Sequence, residues 1–278
     1  FLLLYGFWGS ACLYAQDRGV PVEELTVIRQ GLSQGMVFSV LQTSDDFLWV
    51  ATKDGLNRYD GHRFEVFLPD PFNPFSIASS ETRKLFEDKD GNLWIIFQSG
   101  IDVYIRESGI FMHLTWADEQ HFIGNDNYFT QTPDGNLWLA GNGYLWKLFQ
   151  PQIALQKAIA QNQARVTIEA AHTTISSIHP QDIYTGFTNI LYSKALGLVT
   201  TTAEGFYKVD EQTLALTPVN DVLAREACTI IGQDKNGDLW VQQMSNNAGH
   251  LFGDIFSMLT NVSKETCGIW IFTGNNSF

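Results

Sequence analysis

One dipeptide recurs along this chain at a spacing that few folds accommodate. Leu-Trp pairs end at Trp49, Trp94 and Trp138, 45 and 44 residues apart. Leu198, in GLVTTT, takes the tryptophan position 60 residues on, and Trp240 follows after 42. Most of the pairs stand behind a short polar turn: SDDFLWVAT, DKDGNLWIIF, PDGNLWLAG and KNGDLWVQQ. A period in the low forties built from strand-like segments points to four-stranded propeller blades. The excess length before Leu198 coincides with QPQIALQKAIAQNQARVTIEAAH, an insertion near residues 150–172 with room for about one hairpin or a short helix.

Within the units the strand signals are short β-branched and aromatic runs bounded by Gly, Asp and Asn. The first unit reads MVFSVLQ, FLWVAT, LNRYD and FEVF; the second, RKLFED, NLWIIF, IDVYI and IFMHLT. The third gives NYFTQT, NLWLAG and YLWKLF, and the fourth TNILYS, GLVTTT, GFYKVD and LALTPV. The fifth gives CTIIGQD, DLWVQQM, HLFGDI and FSMLT, and a sixth is expected to begin near CGIWIFTG at Cys267–Gly274. The expected fold is therefore all-β: an incomplete β-propeller of about five to six antiparallel blades, occupying residues 16–278.

The turns invite a metal reading, because DKDGN and DKNGD alternate carboxylates as calcium loops do. An EF-hand loop needs Gly at its sixth position and a bidentate Glu at its twelfth. Counted from Asp88 those places hold Leu93 and Ser99; from Asp234, Leu239 and Ser245. Neither fits, so no metal is expected. Asp-Gly and Asn-Gly instead suit two-residue hairpin turns that require φ > 0. The tryptophans behind them are expected to pack between blades, each ring burying about 150–250 Å².

Charge narrows the partners. Thirty acidic against 17 basic residues give a net charge of −13, with no Lys/Arg run, which argues against nucleic-acid contact by this chain. The opening FLLLYGFWGSACLYAQ reads as a secretory signal over residues 1–15, apolar from Phe1 to Trp8 and cut after Ala15. A lipoprotein reading at Cys12 is the alternative. Export would leave Cys228 and Cys267, which occupy different strand positions and read as two small hydrophobes rather than a disulfide.

No catalytic constellation stands out. There is no G-x-S-x-G elbow, no H-E-x-x-H pair and no phosphate-binding glycine loop with lysine. The six histidines, His62, His113, His121, His172, His179 and His250, have no metal-ligand spacing and read as solvated loop residues. No cofactor is expected. Propellers bind ligands through loops on one face, so the turns after the second strands are candidates: Lys53, Asp54, Gln98 with Ser99, Asn142 and Glu204. Aromatic rings outside the repeat are further candidates: Trp116 and Tyr144 first, then Tyr128, Trp146 and Tyr184. The competing reading is turn chemistry for the loops and core packing for the rings.

GLSQGMVFSVLQTSDDFLWVATKDGLNRYDGHRFEVF (Gly31–Phe67) and LFEDKDGNLWIIFQSGIDVY (Leu85–Tyr104) resemble the two-component regulator propeller repeat. The resemblance is strong over residues 16–150, recognisable over 183–256 and poor elsewhere. It implies the N-terminal sensor region of a hybrid two-component histidine kinase, periplasmic and tethered to the inner membrane through a C-terminal segment beyond this sequence. It further implies an oligosaccharide ligand, homodimerisation through the full receptor, control of polysaccharide-utilisation genes, and propellers of seven blades closed by a strand such as ELTVIRQ. The kinase's catalytic parts are absent from the sequence, so the chain itself is read as non-catalytic. Two other readings stay open: a secreted propeller lyase, and a protein-interaction scaffold.

Overall fold

The computed structural model describes residues 31–116, 128–141, 143–174, 187–202, 205–219, 228–233, 239–243, 269–273 and 276–277. The segment read as a secretory signal, Cys12, ELTVIRQ, Asn142, Tyr184, Glu204, Asp234, Cys267 and His121, His179 and His250 lie outside these residues.

Among the described residues five sheets, built on antiparallel strands, follow one another as the blades of a β-propeller. Blade one is β1 (Val37–Gln42), β2 (Leu48–Thr52), β3 (Gly55–Tyr59) and β4 (Phe64–Phe67). Blade two is β5 (Lys84–Glu87), β6 (Leu93–Phe97), β7 (Gly100–Ile105) and β8 (Ile110–Thr115). Blade three runs β9 (Tyr128–Gln131), β10 (Leu137–Gly141) and β11 (Tyr144–Leu148). Blade four is β14 (Phe187–Ser193), β15 (Gly197–Thr202), β16 (Gly205–Val209) and β17 (Leu216–Pro218). Blade five opens with β18 (Cys228–Gln233) and β19 (Leu239–Gln243).

Two places depart from the sequence expectation. The segment read as the start of a sixth blade supplies β20 (Ile269–Thr273), which pairs with β19, and β21 (Asn276–Ser277) completes that fifth sheet. HLFGDI and FSMLT lie outside the described residues, and the third-strand place assigned to HLFGDI is taken by β20. The insertion holds more than a hairpin: a helix α1 (Pro151–Ala160), a short β12 (Arg165–Thr167) and β13 (Ala170–Thr174). Strand β13 closes blade three against β11, whereas β12 turns back and pairs in parallel with β8. Blade two thereby has five strands in the order β12-β8-β7-β6-β5.

Alternation along the second strands explains why the repeat reads as it does. A blade with neighbours on both faces has successive side chains of its second strand pointing to opposite neighbours, and both sets are buried. Trp49 reaches forward to Leu93, Ile95 and Phe97 of blade two. Trp94 packs against Leu137 and Leu139 of blade three, and Trp138 against Ile190 and Leu198 of blade four. In blade four the register differs from the sequence reading. Leu198 faces back to Trp138, and Val199 takes the tryptophan's forward place beside Cys228, Ile230, Leu239 and Val241. Alignment on a leucine instead of on side-chain direction had shifted the position by one. Cys228 is buried in that apolar cluster, as a small hydrophobe would be.

The turns before the second strands are three-residue loops, one residue longer than the two-residue hairpins expected. Asp88 N–H donates to Asn92 O and Gly91 N–H to Asp88 O, both at 3.0 Å, a three-residue loop with a single left-handed residue. The equivalent left-handed positions are Asp46 (φ 66°), Gly91 (φ 77°) and Gly135 (φ 87°). The carboxylate that mimics a calcium ligand serves the protein itself. Asp88 Oδ1 accepts from Asp90 N–H and Asn92 N–H, and Oδ2 accepts the Trp94 indole N–H at 2.9 Å. In blade three Thr132 Oγ1 accepts the Trp138 indole N–H at 3.2 Å. The turn and the tryptophan behind it are thus one structural unit.

Gly135→Ala is expected to cost about 1–2 kcal/mol, because an L-residue is strained at positive φ. A Cβ there would meet nothing within 4 Å, so backbone strain alone sets the cost. Gly100 has the same open space without a positive φ. A smaller loss in Gly100→Ala, read as denaturant midpoints at constant slope, checks the assignment.

Candidate functional site

The sequence candidates scatter. Lys53 and Asp54 are exposed in the β2–β3 turn, where the Lys53 N–H donates to Met36 O and the Asp54 N–H to Thr52 Oγ1. Gln98 is exposed in the β6–β7 turn. Trp116 is buried in the core between blades two and three, edge-on to Trp146 with centroids 6.0 Å apart. Tyr144 is half-buried and stacks on Trp146, itself buried, while Tyr128 packs against the neighbouring core. These rings are joined into the packing between blades.

What the fold does assemble lies at the edge of blade two. The β4–β5 connection, residues 69–79, arches over that blade and is fixed by its own hydrogen bonds. Asp70 Oδ1 accepts from Phe72 N–H, Asn73 Oδ1 from Phe75 N–H, and Ser76 Oγ from Asp70 N–H. Beneath the arch is a groove of about 490 Å³ between the loop and strands β7, β8 and β12. It continues past Arg165 into a depression of about 580 Å³ bounded by Pro74, His113, Gln163 and Ala164.

The floor of the groove holds an ion pair that pins the loop. Asp102, on β7 and 1% exposed, lies with Oδ1 2.8 Å from His113 Nδ1, while Oδ2 accepts Ala78 N–H at 2.8 Å. His113 Nε2 donates to Pro74 O at 2.9 Å. The expectation of a solvated loop histidine is corrected here: His113 sits on β8 with both nitrogens engaged. His172, likewise, lies on β13 against Trp146, ring centroids 4.4 Å apart.

The two partners of the pair pull in different senses. Burial pushes the Asp102 carboxyl up, against the hydrogen bond and charge of His113 and the Ala78 N–H, which lower it. The hydrogen bond to Asp102 raises His113 above its ordinary value, against burial. Geometry favours imidazolium against carboxylate. Nε2 faces a carbonyl that only accepts, so it carries a proton, and the upward shift of His113 favours a second proton on Nδ1 toward Asp102 Oδ1. With neither ring nitrogen free, this dyad resembles a catalytic base in composition only. Sequence reasoning passed over it, although Asp102 inside the apolar run GIDVYI and His113 inside IFMHLT are the signal of a buried polar pair.

Among the described residues no group of three or more His, Cys, Asp or Glu side chains is placed to hold a metal ion, and no helix is long and apolar enough to cross a membrane.

No protein-family model matches the chain. A stretch of 77 residues, 28% of the chain, is 36% identical to histidine kinase P4 of Formosa agariphila, covering 6% of that protein. The fold is similar to two crystal structures of the extracellular domain of BT4673 from B. thetaiotaomicron, described in the first as a one-component system and in the second as a hybrid two-component system. The better overlap has a TM-score of 0.57 at 19% identity over 78% of this chain and 30% of that one; the other has 0.54 at 17%. The chain shares the propeller fold of these extracellular domains. It spans less than a third of the length of these BT4673 chains and a small part of the kinase. A streptogramin B lyase shares the fold at TM-score 0.52 and 13% identity, which shows that propellers of this shape also serve as enzymes.

Proposed function

We propose that this chain is a non-catalytic, extracytoplasmic sensing module of a hybrid two-component receptor, that its ligand is an oligosaccharide, and that the receptor controls polysaccharide-utilisation genes. The observation that carries the reading is the pairing of a sensor-type propeller with a direct sequence match to a histidine kinase. A placement in the periplasm fits the apolar, small-residue segment at the start of the sequence. Ligand bound on the propeller would bias how two receptor copies pack, and that shift in population would be relayed across the membrane.

The test is thermal shift and calorimetry of the intact protein carrying this chain against plant and host oligosaccharides. Ligand at 100 times its dissociation constant is expected to stabilise the folded state by about 2.7 kcal/mol. A flat response across the panel overturns oligosaccharide sensing, and chelator-sensitive turnover of a glycan would favour a lyase.

A further inference from the structure

We infer that the groove between the 69–79 loop and β12 is a binding site for a sugar unit bearing an anionic group, a carboxylate or a sulfate ester, with Arg165 as its anchor. The inference rests on the carbohydrate reading above and adds the site and the charge of the ligand.

The first argument is that this wall of the groove is not demanded by the repeat. Every other described sheet has four strands; blade two alone has a fifth, added in parallel by β12 out of the insertion. That insertion also spends a helix on holding its own start. Gln150 N–H donates to Asn136 Oδ1 at 3.0 Å, and Leu155 and Ala158 are buried in the core between blades two and three. The result is a firmly seated strand whose exposed Arg165 lines both depressions.

The second argument is charge. Asp102 and His113 compensate one another beneath the groove. Arg165 makes no ion pair among the described residues, which leaves a planar guanidinium with five donors. Such a fork suits a carboxylate or sulfate bidentately. In a chain of net charge −13 an unpaired cation in a concave place is where an anion can be held selectively.

The third argument is that the remaining surface suits a sugar ring. Asp70 lines the groove, an acceptor for hydroxyls, together with the Asn73, Ser79 and Ser99 side chains. Between the lining residues Pro71 and Asn73 stands Phe72, 93% exposed on a loop held by its internal hydrogen bonds. The hydrogen bonds hold the backbone at Phe72, and its exposed ring, beside the groove, offers an apolar face to the C–H face of a saccharide.

The experiment is calorimetry on the intact protein with uronate oligomers, sulfated oligomers and neutral oligomers of the same length. Wild type is compared with Arg165→Met, Phe72→Ala and Arg63→Met, the last removing an exposed arginine from the β3–β4 turn. Arg165→Met is expected to weaken binding of the acidic oligomers at least tenfold, Phe72→Ala to weaken all that bind, and Arg63→Met to change nothing, with melting curves unchanged in the two arginine variants. Preference for the uronate or the sulfated series identifies the anion. Acidic binding that survives Arg165→Met, or equal affinity for acidic and neutral oligomers, overturns this site while leaving carbohydrate sensing intact. Absence of binding to any oligomer overturns both.

Discussion

Replacing Asp102 by alanine is expected to lower the unfolding free energy by about 3 kcal/mol, the lower end of the range for breaking a buried pair from one side. The lower end applies because His113 is partly exposed and can shed its proton once its partner is gone. The rest of the cost falls on the loop: Ala78 N–H loses its acceptor, and the imidazole that holds Pro74 O loses its orientation. Asp102→Asn retains an acceptor for Ala78 but removes the charge, so its loss is smaller and its pH dependence is different. In the wild type His113 is raised above its ordinary value of 6.5, chiefly by Asp102. A raised group stabilises the fold fully below its unfolded value and loses that contribution as pH rises through the folded one. The melting temperature is therefore expected to decline as pH climbs above about 6.5, and the Asp102→Asn variant is expected to lack this slope. The upward shift of the carboxyl itself acts with the same sign at more acid pH. Identical pH profiles for wild type and Asp102→Asn would show that the pair does not set the stability of the arch.

The difference between what could be read in the sequence and what could not follows from the range of the interactions. The four-stranded repeat, the strand order in blades one and four and the inter-blade place of Trp49, Trp94 and Trp138 were legible, because a propeller writes local hairpins with period-two patterning and repeats them. The sixth blade, the last strand of blade three and the fifth strand of blade two were not. Glycines at the left-handed turn positions were legible for the same reason. The one-residue error at Leu198 arose where the tryptophan is missing: without the large ring, a leucine facing back and a valine facing forward look alike in sequence. The groove was not legible. Its parts come from β7, β8, a connection beginning at Pro69 and a strand at Arg165, and only the parallel return of β12 to β8 brings the last of these near the others. An insertion departing from a repeat says that something is built there; it does not say against which blade.

The largest loss is expected from Trp94→Ala, about 3–5 kcal/mol, the cost of truncating a fully buried aromatic and leaving its cavity. Trp94 has no exposed surface, sits between blades two and three, and donates its indole N–H to Asp88. A ring that buries about 150–250 Å² gives about 4–6 kcal/mol at about 25 cal/mol per Å², enough to cover that figure. Trp138→Ala should lose a similar amount, since Trp138 holds the same place between blades three and four. Trp94→Phe separates the two contributions: it retains most of the apolar contact and removes only the donor to Asp88, so it should lose about 1 kcal/mol beyond its lost volume. Trp240 supplies the contrast. It occupies the repeat position in blade five, yet it is 37% exposed because its forward face has no further blade over it among the described residues. Trp240→Ala should therefore lose clearly less than Trp94→Ala when both are followed by urea unfolding. Equal losses at Trp94 and Trp240 would mean that the ring stabilises its own sheet, and that the seam between blades is held by something else.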